Sequence, residues 1–211
     1  MSVRANLQAL QAKLKGRATL LGVAKGQSPE KIREAIEAGL QDVGNNYTQE
    51  GAELRDQMPP ARWHFIGAIQ SRKVKELLDY DLIHSLDRVD IAEMLQKQLT
   101  AKNSKIRVLI EINLAGEASK AGIAPEALED FLKAIAGFDR VQTVGIMVLP
   151  PPLTPVEKRR PYFKQARALF DAHAALGWTT LSMGTSEDFE IAVEEGATLV
   201  RLGTILFGAR A

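Results

Sequence analysis

A chain of 211 residues with 45% hydrophobic and 25% charged side chains has an ordinary globular composition and is long enough for one sizeable core. A formal net charge of +1 gives no general polyelectrolyte attraction to nucleic acid, and no apolar run approaches the length that spans a bilayer. The lack of cysteine excludes disulfides, thiol nucleophiles and thiolate metal sites. The expected partner is therefore a small molecule, in a cytoplasmic setting, with neither nucleic acid nor membrane involved.

The pattern along the chain alternates strand and helix. Residues 1–13 carry Leu7, Leu10 and, just beyond, Leu14 on one helical face, with polar residues between, unlike the unbroken apolar core of a signal peptide. The run TLLGVA at 19–24 reads as a strand buried on both faces and ends in Lys25. Ser28, Pro29 and Glu30 then supply a cap, a first-turn proline and an early acid for a helix closed by Gly39. Residues 42–46 form a second strand, followed by a helix that Pro59 and Pro60 stop. A third strand at 62–67 precedes a basic helical segment at 71–78, whose Arg72, Lys73 and Lys75 read as a solvated face. The fourth strand, 81–85, leads to a helix capped by Asp87 that is expected to bury Ile91, Met94, Leu95 and Leu99.

Residues 106–113 form the most obvious strand and open into a long polar loop at 115–122, expected to act as a mobile lid. Pro125 starts a helix with Leu128, Phe131, Leu132 and Ile135 inward, and 141–148 is the sixth strand. The prolines of 150–155 make a stiff loop on one rim. A helix carrying Phe163, Ala166, Phe170 and Ala174, a strand at 179–183, a helix at 186–195 and a strand at 197–202 complete the series. Eight strands separated by helices predict an α/β fold, a single (β/α)8 TIM barrel over residues 1–211 with one extra N-terminal helix; an open doubly wound sheet is the alternative with the same spacing.

In a barrel the ends of these strands converge on one rim, where such folds place their chemistry. A lysine there is a candidate nucleophile toward carbonyls, because desolvation lowers the proton affinity of an amine; otherwise it simply snorkels to solvent. Two small-residue turns follow the last two strands: Ser182-Met-Gly184-Thr185-Ser186 and Arg201-Leu-Gly203-Thr204. With a helix N-terminus expected at Ser186, they offer backbone N–H groups and hydroxyls suited to a phosphate. Lys25 facing that cup implies a phosphorylated carbonyl compound, either a sugar phosphate or pyridoxal 5′-phosphate. Arg201, inward on the eighth strand, could donate to a pyridine nitrogen without protonating it, or else turn outward into a surface ion pair. His64 and His84 end neighbouring strands without a third ligand at metal spacing, so structural or ring-packing roles are expected, with His173 superficial on its helix.

These motifs, with Ala24-Lys25, Gly44-Asn-Asn-Tyr47, His64-Phe-Ile-Gly67, Gln70-Ser71, His84-Ser85, Asn113, Gly116-Glu-Ala-Ser-Lys120, Ser182-Met-Gly184, Val200-Arg-Leu-Gly-Thr204 and Phe207-Gly-Ala-Arg210, resemble the pyridoxal phosphate homeostasis proteins. Those proteins are similar to the N-terminal barrel of alanine racemase. The family usually has Glu where Asn45 stands and Met where Thr185 stands. The resemblance implies a Schiff base between pyridoxal 5′-phosphate and Lys25, with Arg201 at the ring nitrogen and Asn46 and His64 lining the ring. It places the phosphate on Ser186, Gly203 and Thr204, with help from Ser182 and Gly184. In the racemase the second acid/base comes from an additional β-domain, and this chain ends at Ala211, directly after the barrel. The expected function is thus intracellular buffering and delivery of the cofactor, to PLP-dependent acceptor enzymes, by a monomer with little or no turnover; a minimal amino-acid racemase is the enzymatic alternative and a sugar-phosphate aldolase the third.

Overall fold

The computed structural model describes residues 2–117 and 121–209. Eight parallel strands close into a barrel in sequence order, with β1 (Thr19–Val23) beside β2 (Asp42–Asn45) and the circuit running through β3 (Arg62–Phe65), β4 (Leu82–Leu86), β5 (Ile106–Ile112), β6 (Val141–Val148), β7 (Thr180–Ser182) and β8 (Leu199–Leu202) back to β1. The barrel reading of the strand–helix alternation holds, and the open sheet is excluded by the pairing of Leu21 with Arg201 across the β1–β8 seam.

Helix α1 (Val3–Leu14) precedes the barrel, capped by the Ser2 hydroxyl. It buries Val3, Leu7, Leu10 and Leu14, and the Asn6 amide donates to the Leu206 carbonyl at 2.9 Å, so this helix is bound to the C-terminal end of the chain. Outside the barrel run α2 (Pro29–Glu37), α3 (Thr48–Arg55), α4 (Val89–Lys102), α5 (Leu128–Ile135), α6 (Arg160–Ala172), α7 (Phe189–Glu194) and the single turn α8 (Thr204–Phe207). The main hydrophobic core lies between this layer and the outward faces of the strands, where residues such as Val108, Ile110 and Ile112 of β5 meet the helices. The opposite face of the same strands fills the barrel, and there Leu82, Leu109 and Met147 form a small separate apolar cluster.

The segment after β3 winds as a 3-10 helix, Ser71–Asp79, because its buried residues Val74 and Leu77 stand three apart and line up at three residues per turn. Met94 is 38% exposed, against the expectation that it would be buried with the other apolar residues of α4. His173 is buried and not superficial: it stacks on Trp178 with ring centroids 5.0 Å apart, and its two nitrogens meet the Leu169 carbonyl and the Glu129 carboxylate. Residues 118–120 of the expected lid lie outside the described residues; after them, Ile123 returns to bridge the end of β5.

Gly145 of β6 stands opposite Thr180 of β7, with no room for a side chain between them. A β-carbon at Gly145 would stand 1.8 Å from the Thr180 carbonyl oxygen, and its φ of 149° is one that side-chain-bearing residues rarely adopt. Gly145→Ala is expected to destabilise the protein by about 2 kcal/mol or more, seen as a lower urea midpoint at unchanged slope; an unchanged midpoint would show that β6 and β7 can separate freely.

Candidate functional site

A cavity of about 600 Å3 opens at the C-terminal ends of the strands. Lys25, two residues past β1, and Asn46, just past β2, enter it from one side; Arg201 of β8, with Gly203, Thr204 and Ser186 from the last two loops, enters from the other. Six of the nine site residues expected from sequence therefore share one wall-to-wall space. His64, Ser182 and Gly184 do not line it. His64 and Ser182 are buried in the barrel interior, where their polar groups bond to other side chains. Gly184 is packed against Phe189 and Ala192, and its carbonyl accepts the Arg201 N–H at 3.0 Å.

Arg201 points inward and is buried. One terminal nitrogen donates to the Ser182 carbonyl at 3.0 Å and hydroxyl at 2.7 Å, and the other to the Val148 carbonyl at 3.0 Å. Of the five N–H donors of a guanidinium, two stay uncommitted among the described residues. Burial lowers its pKa to about 10, opposed by the charges of Glu111 and Asp188, so the group stays cationic at neutral pH. The Lys25 amine lies 5.3 Å from the centre of the Tyr47 ring, a cation–π contact at the rim, where Tyr47 is 56% exposed. The Asn46 side-chain oxygen is buried with no partner among the described residues.

The two C-terminal turns are joined differently from expectation. No helix begins at Ser186; α7 starts at Phe189, because the Asp188 carboxylate is drawn back to the Thr185 N–H and hydroxyl and closes a turn first. The Ser186 hydroxyl instead accepts the backbone N–H groups of Gly203 at 3.2 Å and Ile205 at 3.4 Å. One hydroxyl thereby clamps the loop after β7 to the loop after β8 and marks where their donors converge.

Two charged residues of the cavity carry no signal in the sequence. Arg159 is buried, bound to Asp188 and Glu187 at 2.8 Å each and to the Leu153 carbonyl, so it braces the rim loop against α7 and its charge is already matched. Glu111 projects from β5 toward the cavity, with its side chain against Gly122. Burial first, and the Asp87 carboxylate second, push its pKa from the ordinary 4.5 to about 7, against the opposing pull of Arg201.

A barrel with a lysine past the first strand, a buried arginine on the last and a hydroxyl-clamped pair of loops defines a class: the family model described as "Alanine racemase, N-terminal domain" matches residues 1–211. The pyridoxal phosphate homeostasis protein of Aquifex aeolicus is 43% identical over 199 residues, covering 92% of this chain and 87% of the relative. That of Pseudomonas aeruginosa is 42% identical over 196 residues, covering 90% and 84%. PipY of Synechococcus elongatus, solved with PLP bound, superposes with a TM-score of 0.90 at 31% identity, over 98% of this chain and 100% of that one. The chain belongs to the pyridoxal phosphate homeostasis protein family.

The residues present fit the cofactor: a primary amine for an aldehyde, an uncommitted pair of guanidinium donors for a ring nitrogen, an unpartnered amide oxygen, and hydroxyl and backbone donors for a phosphate. The raised acid generates a prediction for the protein without ligand. A carboxyl with a raised folded-state pKa contributes stability that is fully present below pH 4.5 and lost as pH rises through about 7. Glu111→Gln removes that loss, so at pH 8 the variant is expected to be the more stable by about 3 kcal/mol, with the two curves meeting near pH 4. Urea unfolding across this range checks it; parallel curves would mean that Glu111 ionises as freely in the folded protein as in the unfolded one.

Proposed function

We propose that this protein binds pyridoxal 5′-phosphate as a Schiff base on Lys25 and serves as a cytoplasmic, monomeric reservoir that buffers the cofactor and passes it to acceptor enzymes. The convergence of Lys25, Asn46, Arg201 and the Ser186–Thr204 loops on one cavity carries this reading, and membership of the family whose PipY member is solved with PLP supports it. When bound, the cofactor supplies an aldehyde and an electron-accepting ring. Lys25 supplies the amine. Arg201 offers a hydrogen bond to the ring nitrogen but, cationic up to about pH 10, yields no proton to it. Ser186, Gly203 and Thr204 would hold the phosphate, and Asn46 would orient the ring.

Little or no turnover of amino acids belongs to the same proposal. A ring that accepts a hydrogen bond without gaining a proton is a weak electron sink, so the site favours holding over carbanion chemistry. Added pyridoxal phosphate is expected to give a visible absorption band that Lys25→Ala abolishes, with the label on Lys25 alone after borohydride reduction. Turnover of alanine or serine is expected to stay at the level of the Lys25→Ala control. A label scattered over surface lysines would overturn the binding site, and turnover well above the control would overturn the reservoir role.

A further inference from the structure

The interior of a small barrel is normally apolar. Here five buried polar side chains from five strands cross it in one unbroken line. His64 of β3 meets Asp42 of β2 through Nε2 at 3.0 Å and His84 of β4 through Nδ1 at 3.0 Å. His84 Nδ1 meets the Ser182 hydroxyl of β7 at 3.1 Å, and that hydroxyl accepts from Arg201 of β8 at 2.7 Å. The line joins the two ends of the barrel. Arg201 opens on the upper cavity, whereas Asp42 and its ion-pair partner Arg62 line a second cavity of about 350 Å3 at the strand N-termini.

Donor counting gives the line a direction. Arg201 can only donate, so the Ser182 oxygen accepts and its hydroxyl proton is free to go to His84 Nδ1. His84 then carries its proton on Nε2 and donates to His64 Nδ1, and His64 donates from Nε2 to Asp42. With both imidazoles neutral, every group is satisfied. Were His64 doubly protonated, His84 would have to donate to Ser182, leaving the serine proton with no acceptor in the line. Burial, then His64 and Arg201, hold His84 well below the ordinary 6.5. Burial disfavours ionised Asp42, but hydrogen bonds from His64 and Arg62 outweigh that and keep it an acceptor.

We propose that Asp42, His64, His84 and Ser182 are positioning residues, a one-way donor relay that holds the Arg201 guanidinium so that its uncommitted edge faces the ring nitrogen of the bound cofactor. The relay rests on the reading of the upper cavity as a pyridoxal phosphate site. An aligned row of donors ending at a carboxylate stabilises the serine oxygen as an acceptor and pins Arg201 from behind. If the relay is cut, Arg201 loses its register, the ring nitrogen can take a proton, and the positive charge it gains disfavours a second one on the imine nitrogen.

Two measurements test this. In the unloaded protein, long-range proton–nitrogen NMR at neutral pH is expected to show His64 and His84 both neutral and both protonated on Nε2. A proton on Nδ1 of either ring would overturn the relay whatever the cavity binds. In the loaded protein, His84→Leu is expected to lower the apparent pKa of the visible band by about one pH unit, the scale of one lost hydrogen bond to a charged group. His84→Gln, whose amide can accept from Ser182 and donate to His64, is expected to restore most of it. Folded His84→Leu with an unshifted band would overturn the relay, as would a glutamine variant no better than leucine. Should His84→Leu not fold, Ser182→Ala takes its place under the same criteria. Failure of the unmodified protein to form any band on Lys25 would instead sink the cofactor reading, and the NMR result would then decide the relay alone.

Discussion

The seam between the first and last strands is the constraint on which the site depends. Pairing of Thr19 with Leu199 and of Leu21 with Arg201 sets the relative heights of Lys25 and Arg201: Arg201 lies level with Leu21, well inside, while Lys25 stands four residues further on, two past the end of β1. A ligand held by both would have to span from Lys25 at the mouth to Arg201 deeper in the cavity. Gly203 follows two residues after Arg201, opposite the top of β1, where the Ser186 clamp gathers the loop donors. One register sets Lys25, Arg201 and Gly203 at different depths. A slip of one residue at this seam would turn Arg201 toward the helices and Leu202 into the cavity.

An inward arginine requires compensation, since a buried cation costs several kcal/mol when unpaired. Among the described residues no carboxylate bonds to it; Glu111 and Asp188 act on it only at longer range. Its three committed donors go to neutral oxygens, which satisfy it without cancelling its charge. The contrast with Arg159 is informative. That arginine lines the same cavity, is equally enclosed, and is neutralised by Asp188 and Glu187. Of the two buried arginines of the site, one is a spent cation that fastens the rim and the other keeps a charge available to a ligand.

Much of this was legible in the sequence and some of it was not. Buried parallel strands read as apolar runs, so strand ends can be located within a few residues, and Lys25, Ser186, Gly203 and Thr204, standing just past those ends, fall where a barrel puts them, whereas Asn46 is pointed to only by the family resemblance. Ser182 joins them as the start of a small-residue turn and His64 through the family resemblance, but side-chain direction and depth, which a linear pattern does not carry, bury both in the barrel interior, outside the lining of the cavity. Arg159 resembled any other charge after a run of prolines; its partners are 28 and 29 residues away, and only folding brings them together. Glu111 was hidden for a different reason. In an apolar strand a single acid reads as an exposed position, whereas the pleat here turns it inward beside Arg201.

The same pleat explains how a barrel this small can hold a polar interior at all. Leu82, Leu109 and Met147 fill one part of the interior, while the line from Asp42 to Arg201 crosses the rest. Each member of that line is short of partners alone and satisfied in sequence, so removing one strands its neighbours, a coupling that an apolar core lacks. Two tilted imidazoles with centroids 5.2 Å apart occupy the volume that aliphatic side chains would otherwise take, at the cost of a fixed order of donors. That order starts from a guanidinium, which offers hydrogen bonds and keeps its protons, and ends on the Asp42 carboxylate. In the proposed complex the ring would be gripped at its nitrogen without being activated there, so the feature that makes the interior polar would also incline the site to retain a bound cofactor and not to use it.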